Sequence, residues 1–228
     1  MIMWRIWKCR NEVLFNGVDP DQSQMVVVTV KEAEEFILAM REQILEPRQP
    51  RVGSGELDQC WQKPACEKLK FNVDGAWVSR SDGLAEAGAG IVVRDSNGSF
   101  VAARSLNLGM VGSPLCAEAL AWRAAFDFAG LLGLVSLVME GDSQQLVRCI
   151  RGEIACPTEV EVVVEDIRRY RNLVRECEVV FVRRSANGVA DALAKDGLRG
   201  PGVRTWEPRP PDWLLSPLGK DNRLISCI

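Results

Sequence analysis

Leu69-Lys70-Phe71-Asn72-Val73-Asp74-Gly75-Ala76 alternates apolar and polar side chains with a period of two, the mark of a strand with one face on a core. Leu69, Phe71 and Val73 share the apolar face, which leaves Asn72 and Asp74 on the other. A carboxylate set against such a run is costly to bury without a partner, so it marks a candidate cation or functional site. Three more acids repeat the anomaly. In Pro114-Leu115-Cys116-Ala117-Glu118-Ala119-Leu120-Ala121-Trp122, the residues Leu115, Ala119, Trp122 and Phe126 recur at helical spacing, and Glu118 borders their stripe. Leu134-Val135-Ser136-Leu137-Val138-Met139 is a nearly continuous apolar run, as expected of a strand covered on both faces. Glu140-Gly141-Asp142 ends it, which puts Asp142 at the carboxyl end of a central strand, where open α/β sheets place their ligands. Asn187-Gly188-Val189-Ala190-Asp191-Ala192-Leu193-Ala194-Lys195 begins an alanine-rich helix with Asp191 in its first turns.

Taken singly, each acid has an ordinary explanation. Asp74 before a glycine suits a turn, Asp142 before Ser143 suits a helix cap, and Glu118 and Asp191 near helix starts suit the helix dipole. Order and context set these explanations aside.

Five segments fall in sequence order: Phe71-Asn72-Val73-Asp74-Gly75-Ala76, the run from Ala87 to Gly98, Ala117-Glu118-Ala119-Leu120-Ala121, Glu140-Gly141-Asp142-Ser143, and the run from Arg183 to Ala194. Together they resemble the type 1 ribonuclease H domain, in the divergent branch found in plant retrotransposon-derived, reverse-transcriptase-like proteins. The likeness covers about residues 68–199. Gly90-Ile91-Val92-Val93-Arg94 and Phe100-Val101-Ala102-Ala103 flank Asp95-Ser96-Asn97-Gly98, a hairpin signal, so three strands precede the helix of Glu118. Further helices are expected from about Ser143 to Arg151 and Glu159 to Arg171, and a fifth strand at Glu178-Val179-Val180-Phe181-Val182. The fold class is therefore α/β, a ribonuclease H-like mixed five-stranded sheet flanked by helices.

The resemblance implies a magnesium-dependent endonuclease that hydrolyses the RNA strand of RNA–DNA hybrids. Asp74, Glu118, Asp142 and Asp191 then hold two Mg2+ ions, with Mn2+ an alternative, and are both metal ligands and catalytic residues. Hard cations of this kind take oxygen ligands, and two of them clamp the attacking and leaving oxygens of a phosphate displacement. Substrate contacts are expected from the backbone near Gly75 and Ala76, from Ser113, from Ser143 with Gln144, and from Asn187, since the 2'-hydroxyls of an A-form groove are read by small polar groups. Ser113 also suits a helix cap. The chain has no histidine, so the mobile histidine of many ribonucleases H is missing, and Arg184 or Ser185 occupies its loop. The acidic stretch from Glu153 to Asp166 replaces the lysine-rich protrusion of some relatives, and Arg168, Arg169 and Arg171 after it suit a solvated face or a phosphate contact.

The formal net charge of −3 excludes a polycation that binds nucleic acid by bulk attraction. Eight scattered cysteines without a Cys-x-x-Cys pair, and no histidine, argue against zinc. A reduced, intracellular setting is expected, in nucleus or cytoplasm, with no membrane association, a monomeric state and no protein partner identified. Residues 1–46 are expected to be helical and 47–67, rich in proline and glycine, a linker; 68–199 form the domain and 200–228 an extended proline-rich tail, with Trp206 and Trp213 available to pack back. The segment from Trp4 to Gly17 resembles the one preceding this domain in plant non-LTR retrotransposon polyproteins. The single tyrosine, Tyr170, precedes Arg171-Asn172-Leu173, so the Tyr-x-Asp-Asp signature of a polymerase is absent from the sequence. Two functional classes stay open: the nuclease, and a non-catalytic nucleic-acid- or protein-binding module that kept the fold.

Overall fold

The computed structural model describes residues 60–79, 85–134 and 136–225, with side chains as far as Asp221. The expected N-terminal helices, and the linker before residue 60, lie outside the described residues.

Six strands form one mixed sheet in the order β5-β4-β1-β2-β3-β6. β1 (Leu69–Ser79), β2 (Ala85–Arg94) and β3 (Phe100–Met110) run antiparallel, while β4 (Ser136–Gly141) lies parallel to β1 and β5 (Glu176–Phe181) parallel to β4. The β2–β3 turn closes as its sequence dictates. Asp95 accepts from the backbone N–H of Asn97 and Ser99 at 2.9 and 2.8 Å, and Gly98 takes the left-handed φ of 82° that a side chain would resist.

Alternation in β1 and β2 separates two cores. On one face Phe71, Val73, Ile91 and Val93 pack with Leu137 and Met139 against α1 (Pro114–Leu131), and with α2 (Gln144–Arg151) and α3 (Thr158–Leu173) through Leu146, Ile150, Val164 and Ile167. Burying side chains such as Phe71, Ile91 and Leu137 contributes about 1.5–3 kcal/mol each. On the other face Val92 and Ala103 meet Val189 and Leu193 of α4 (Gly188–Gly197). The small residues of β2 set how near α4 comes: a Cβ on Gly88 would overlap Ala194 O, and one on Gly90 would overlap Ala190 O and Ala194 N.

The tail differs from expectation. Rather than extended chain, β6 (Val203–Trp206) pairs antiparallel with β3 as a sixth strand, and α5 (Asp212–Ile225) buries Leu214 and Leu218 against Val92, Ala103 and Leu193. Trp206 and Trp213 pack edge to face at 5.9 Å. At the other end, Trp61, in the stretch read as linker, is fully buried. In both places apolar side chains with a surface to cover outweigh the proline and glycine around them.

Candidate metal centre

Three of the four acids meet. Asp74 on β1, Glu118 in the second turn of α1 and Asp142, just past β4, each present a carboxylate oxygen within 4.8 Å of the others. Local structure delivers each one. Ser113 caps α1, its Oγ accepting from Cys116 N–H at 3.1 Å, and Pro114 follows at the first helical position. α1 can then press onto β1 because Gly75 lacks a side chain: a Cβ there would lie 2.6 Å from Glu118 N and 2.7 Å from Ala117 C. The same approach brings the Gly75 backbone near enough to favour the ionised Glu118 carboxylate. Asp142 directly precedes Ser143, the N-cap of α2, so it stands at a parallel strand end beside a helix start.

Electrostatics at this cluster are unfavourable to the fold. Burial, followed by the charges of Asp142 and Asp191, pushes Asp74 up to about 7. Burial, followed by the charges of Asp74 and Asp142, pushes Glu118 up to about 9. Arg184 opposes both shifts, its Nε 3.7 Å from Asp142 Oδ2 while the side chain is 81% exposed. Glu118 Oε2 is buried with no hydrogen-bond partner among the described residues. Crowded hard oxygens, one of them orphaned, fit a divalent cation.

Asp191 stands apart from the triad. It lies in the first turn of α4, near enough for its charge to act on Asp74, but its Oδ2 pairs with Lys195 Nζ at 2.6 Å. The i,i+4 spacing of these residues was visible in the sequence as a helical ion pair, the one signal that finds Lys195. Among the expected substrate contacts, Gly75 faces α1, Ala76 follows it on β1, Ser113 is engaged as a cap, and Ser143 makes no side-chain cap bond, with Gln144 exposed beside it. Asn187 departs from expectation. At 1% exposure it faces inward, its Nδ2 donating to Val73 O at 2.9 Å and approaching Asp74 Oδ1 at 3.4 Å. Arg168 and Arg169 are engaged locally, Arg168 with Cys149 O at 2.6 Å and Arg169 with Glu165 at 3.8 Å.

A family model described as reverse transcriptase-like matches residues 72–197, which span the triad and Asp191. The chain belongs to the reverse transcriptase-like family. No curated protein matches its sequence at a significant level. Solved structures similar to this member of the family include RNase H1 proteins and an RNase H domain. RNase H1 of Halobacterium salinarum NRC-1 is 26% identical over 58% of this chain and 98% of its own, with a TM-score of 0.53. The N-terminal RNase H domain of a Mycobacterium tuberculosis protein is 25% identical over 58% of this chain and 94% of its own, with a TM-score of 0.52. LC11-RNase H1, solved in complex with an RNA/DNA hybrid, is 23% identical over 58% of this chain and 97% of its own, and its TM-score of 0.51 speaks for the fold. The reverse transcriptase-like domain here is thus RNase H-like and carries an acidic triad. Among the described residues no helix is long and apolar enough to cross a membrane.

Proposed function

We propose that this protein is a divalent-metal-dependent endonuclease acting on the RNA strand of RNA–DNA hybrids. The observation that carries the reading is the Asp74–Glu118–Asp142 cluster, three carboxylates within 4.8 Å with the first two raised far above the ordinary carboxylate range. A fold rarely accumulates unpaired buried charge without a cation to offset it. The RNase H1 neighbours, one of them holding a hybrid, support the same assignment.

Asp74, Glu118 and Asp142 would hold the ions, Mg2+ in preference and Mn2+ as an alternative. Bound there, such ions supply charge to a phosphate in transit and lower the pKa of water. The chain's own groups do the rest. Asn187 orients Asp74 by the N–H it offers, and the Gly75 backbone favours the charged form of Glu118. Arg184, at the rim, presents a guanidinium to an incoming or departing phosphate in the loop where a histidine would otherwise stand. Asp191, now paired with Lys195, would complete the set of ligands. Gly75, Ala76, Ser143 and Gln144 border the site on the side where a groove of 2'-hydroxyls would lie.

One observation favours the non-catalytic module: the acid that completes the site is already paired, with Lys195. The assay that separates the readings is cleavage of a hybrid labelled on its RNA strand, with and without Mg2+, beside an Asp74→Asn protein. Mg2+-dependent cleavage lost in the variant is the expected result; no cleavage, or equal cleavage by both proteins, overturns the nuclease.

A further inference from the structure

Two residues before Asp74 and two before Asp142 stand Asn72 and Glu140, partners across the parallel β1–β4 pair, with Asn72 on the sheet face of Asp74. Both are buried, and Asn72 Nδ2 donates to Glu140 Oε2 at 2.9 Å. Lys70 Nζ lies 2.5 Å from the other Glu140 oxygen and donates to Gln62 O at 2.6 Å. The Asn72 oxygen takes two donors at 2.8 Å each, Trp61 Nε1 and Arg94 Nη2. Arg94, 1% exposed, lies 3.7 Å over the Trp61 ring and gives its Nη1 to Asp221 Oδ2 of α5 at 2.7 Å.

Two cations and two anions balance here, out of water, and nearly every polar atom is used. Such an arrangement is a poor way to gain stability, because apolar side chains of the same volume do as well or better. What it does supply is a unique geometry. With both donors on its oxygen and its nitrogen given to Glu140, the Asn72 amide has one orientation, and β1 and β4 have one separation. Trp61 and Asp221, from opposite ends of the domain's sequence, close the arrangement from outside the stretch that matches the family.

We infer that this cluster is a positioning shell for the metal centre: Trp61 and Asp221, acting through Arg94 and the Asn72–Glu140 bridge, fix the spacing of the strand ends that carry Asp74 and Asp142. Its catalytic consequence rests on the nuclease reading; its structural content does not. Substitutions of groups bonded to metal ligands commonly cost 10–100-fold in affinity or activity; this cluster acts one step further out, through the strand backbone, so the lower end of that range is expected.

The test compares Asp221→Asn and Trp61→Phe with Val164→Ala, a core truncation in α3 on the opposite face of the sheet that controls for lost stability. Hydrogen exchange is mapped over residues 73–75 and 141–142, and hybrid cleavage is titrated with Mg2+. Expected are faster exchange at both strand ends in the two cluster variants, kcat lowered roughly tenfold, a higher Mg2+ requirement and an unchanged KM. Val164→Ala should lower the melting temperature without these changes. If the unaltered protein cleaves no hybrid, the nuclease reading falls, and the exchange map alone decides whether the cluster holds the strand ends. Faster exchange confined to α5 or to residues 60–67, with the strand ends as protected as before, overturns the inference.

Discussion

Two polar clusters are built around the adjacent strands β1 and β4, and they follow opposite principles. Around Arg94, two cations meet two anions, and the Asn72 amide accepts two hydrogen bonds and donates one. Around Asp74, acids face acids, Arg184 is the cation at the rim, and a Glu118 oxygen has no partner. The first cluster balances its charges and leaves only Arg94 Nε without a partner, whereas the second leaves like charges facing one another. Buried charge therefore indicates a ligand site when its partners are missing, and structure when they are present.

The sharpest way to break that contrast is to remove one acid from each. Asp74→Asn should reduce Mg2+-dependent hybrid cleavage by more than the 10–100-fold typical of outer-shell changes, measured as initial rate, while the metal-free melting temperature stays level or rises because a like charge has gone. Asp221→Ala should do the reverse to stability: it strands a buried guanidinium, at a cost of about 3–5 kcal/mol, read by denaturant unfolding. Equal destabilisation by the two variants would erase the distinction.

A pH series sharpens it further. Carboxyls raised by folding, Asp74 to about 7 and Glu118 to about 9, bind protons more tightly in the native than in the unfolded chain. Their contribution is fully present below about pH 4 and is lost as pH rises through 7 and 9. The metal-free protein should thus melt at progressively lower temperature from pH 5 to pH 9, and Mg2+ should flatten the decline by binding the ionised acids. A metal-free melting temperature that climbs over that range would contradict the electrostatics described for the triad. The smallest effect belongs to Lys195→Ala. Its exposed pair with Asp191 should change stability by only about 0.3–0.5 kcal/mol, while freeing Asp191 lowers the Mg2+ concentration that half-saturates binding in calorimetry.

Much of this was legible in the chain. The alternation at Leu69, Phe71 and Val73 placed β1, the Asp95–Gly98 signal placed the hairpin, and the continuous run ending at Glu140 placed β4 and, with it, Asp142. Glu118 was found because it interrupts the border of an apolar helical stripe. What escaped reading was of one kind. Trp61 is a lone buried side chain, β6 alternates over only four residues, and α5 buries Leu214 and Leu218 alone at helical spacing, patterns too short to outweigh prolines that argue for extension. Pro211 in fact directly precedes α5, and Pro217 lies inside it, with Leu214 and Leu218 held against the sheet nonetheless. Asn187 and Glu140 could be seen as polar residues, but not as buried ones, because their partners are 114 and 68 to 70 positions away.

The bare β2 positions at Gly88 and Gly90 have a consequence for Asp191. With no methyl groups to hold it off, α4 rests its backbone directly on the sheet, so the reach of its carboxylate is governed by the thickness of a strand. One added carbon at residue 90 would act as a shim, tilting the helix away and moving Asp191 relative to Asp74 without touching any acid.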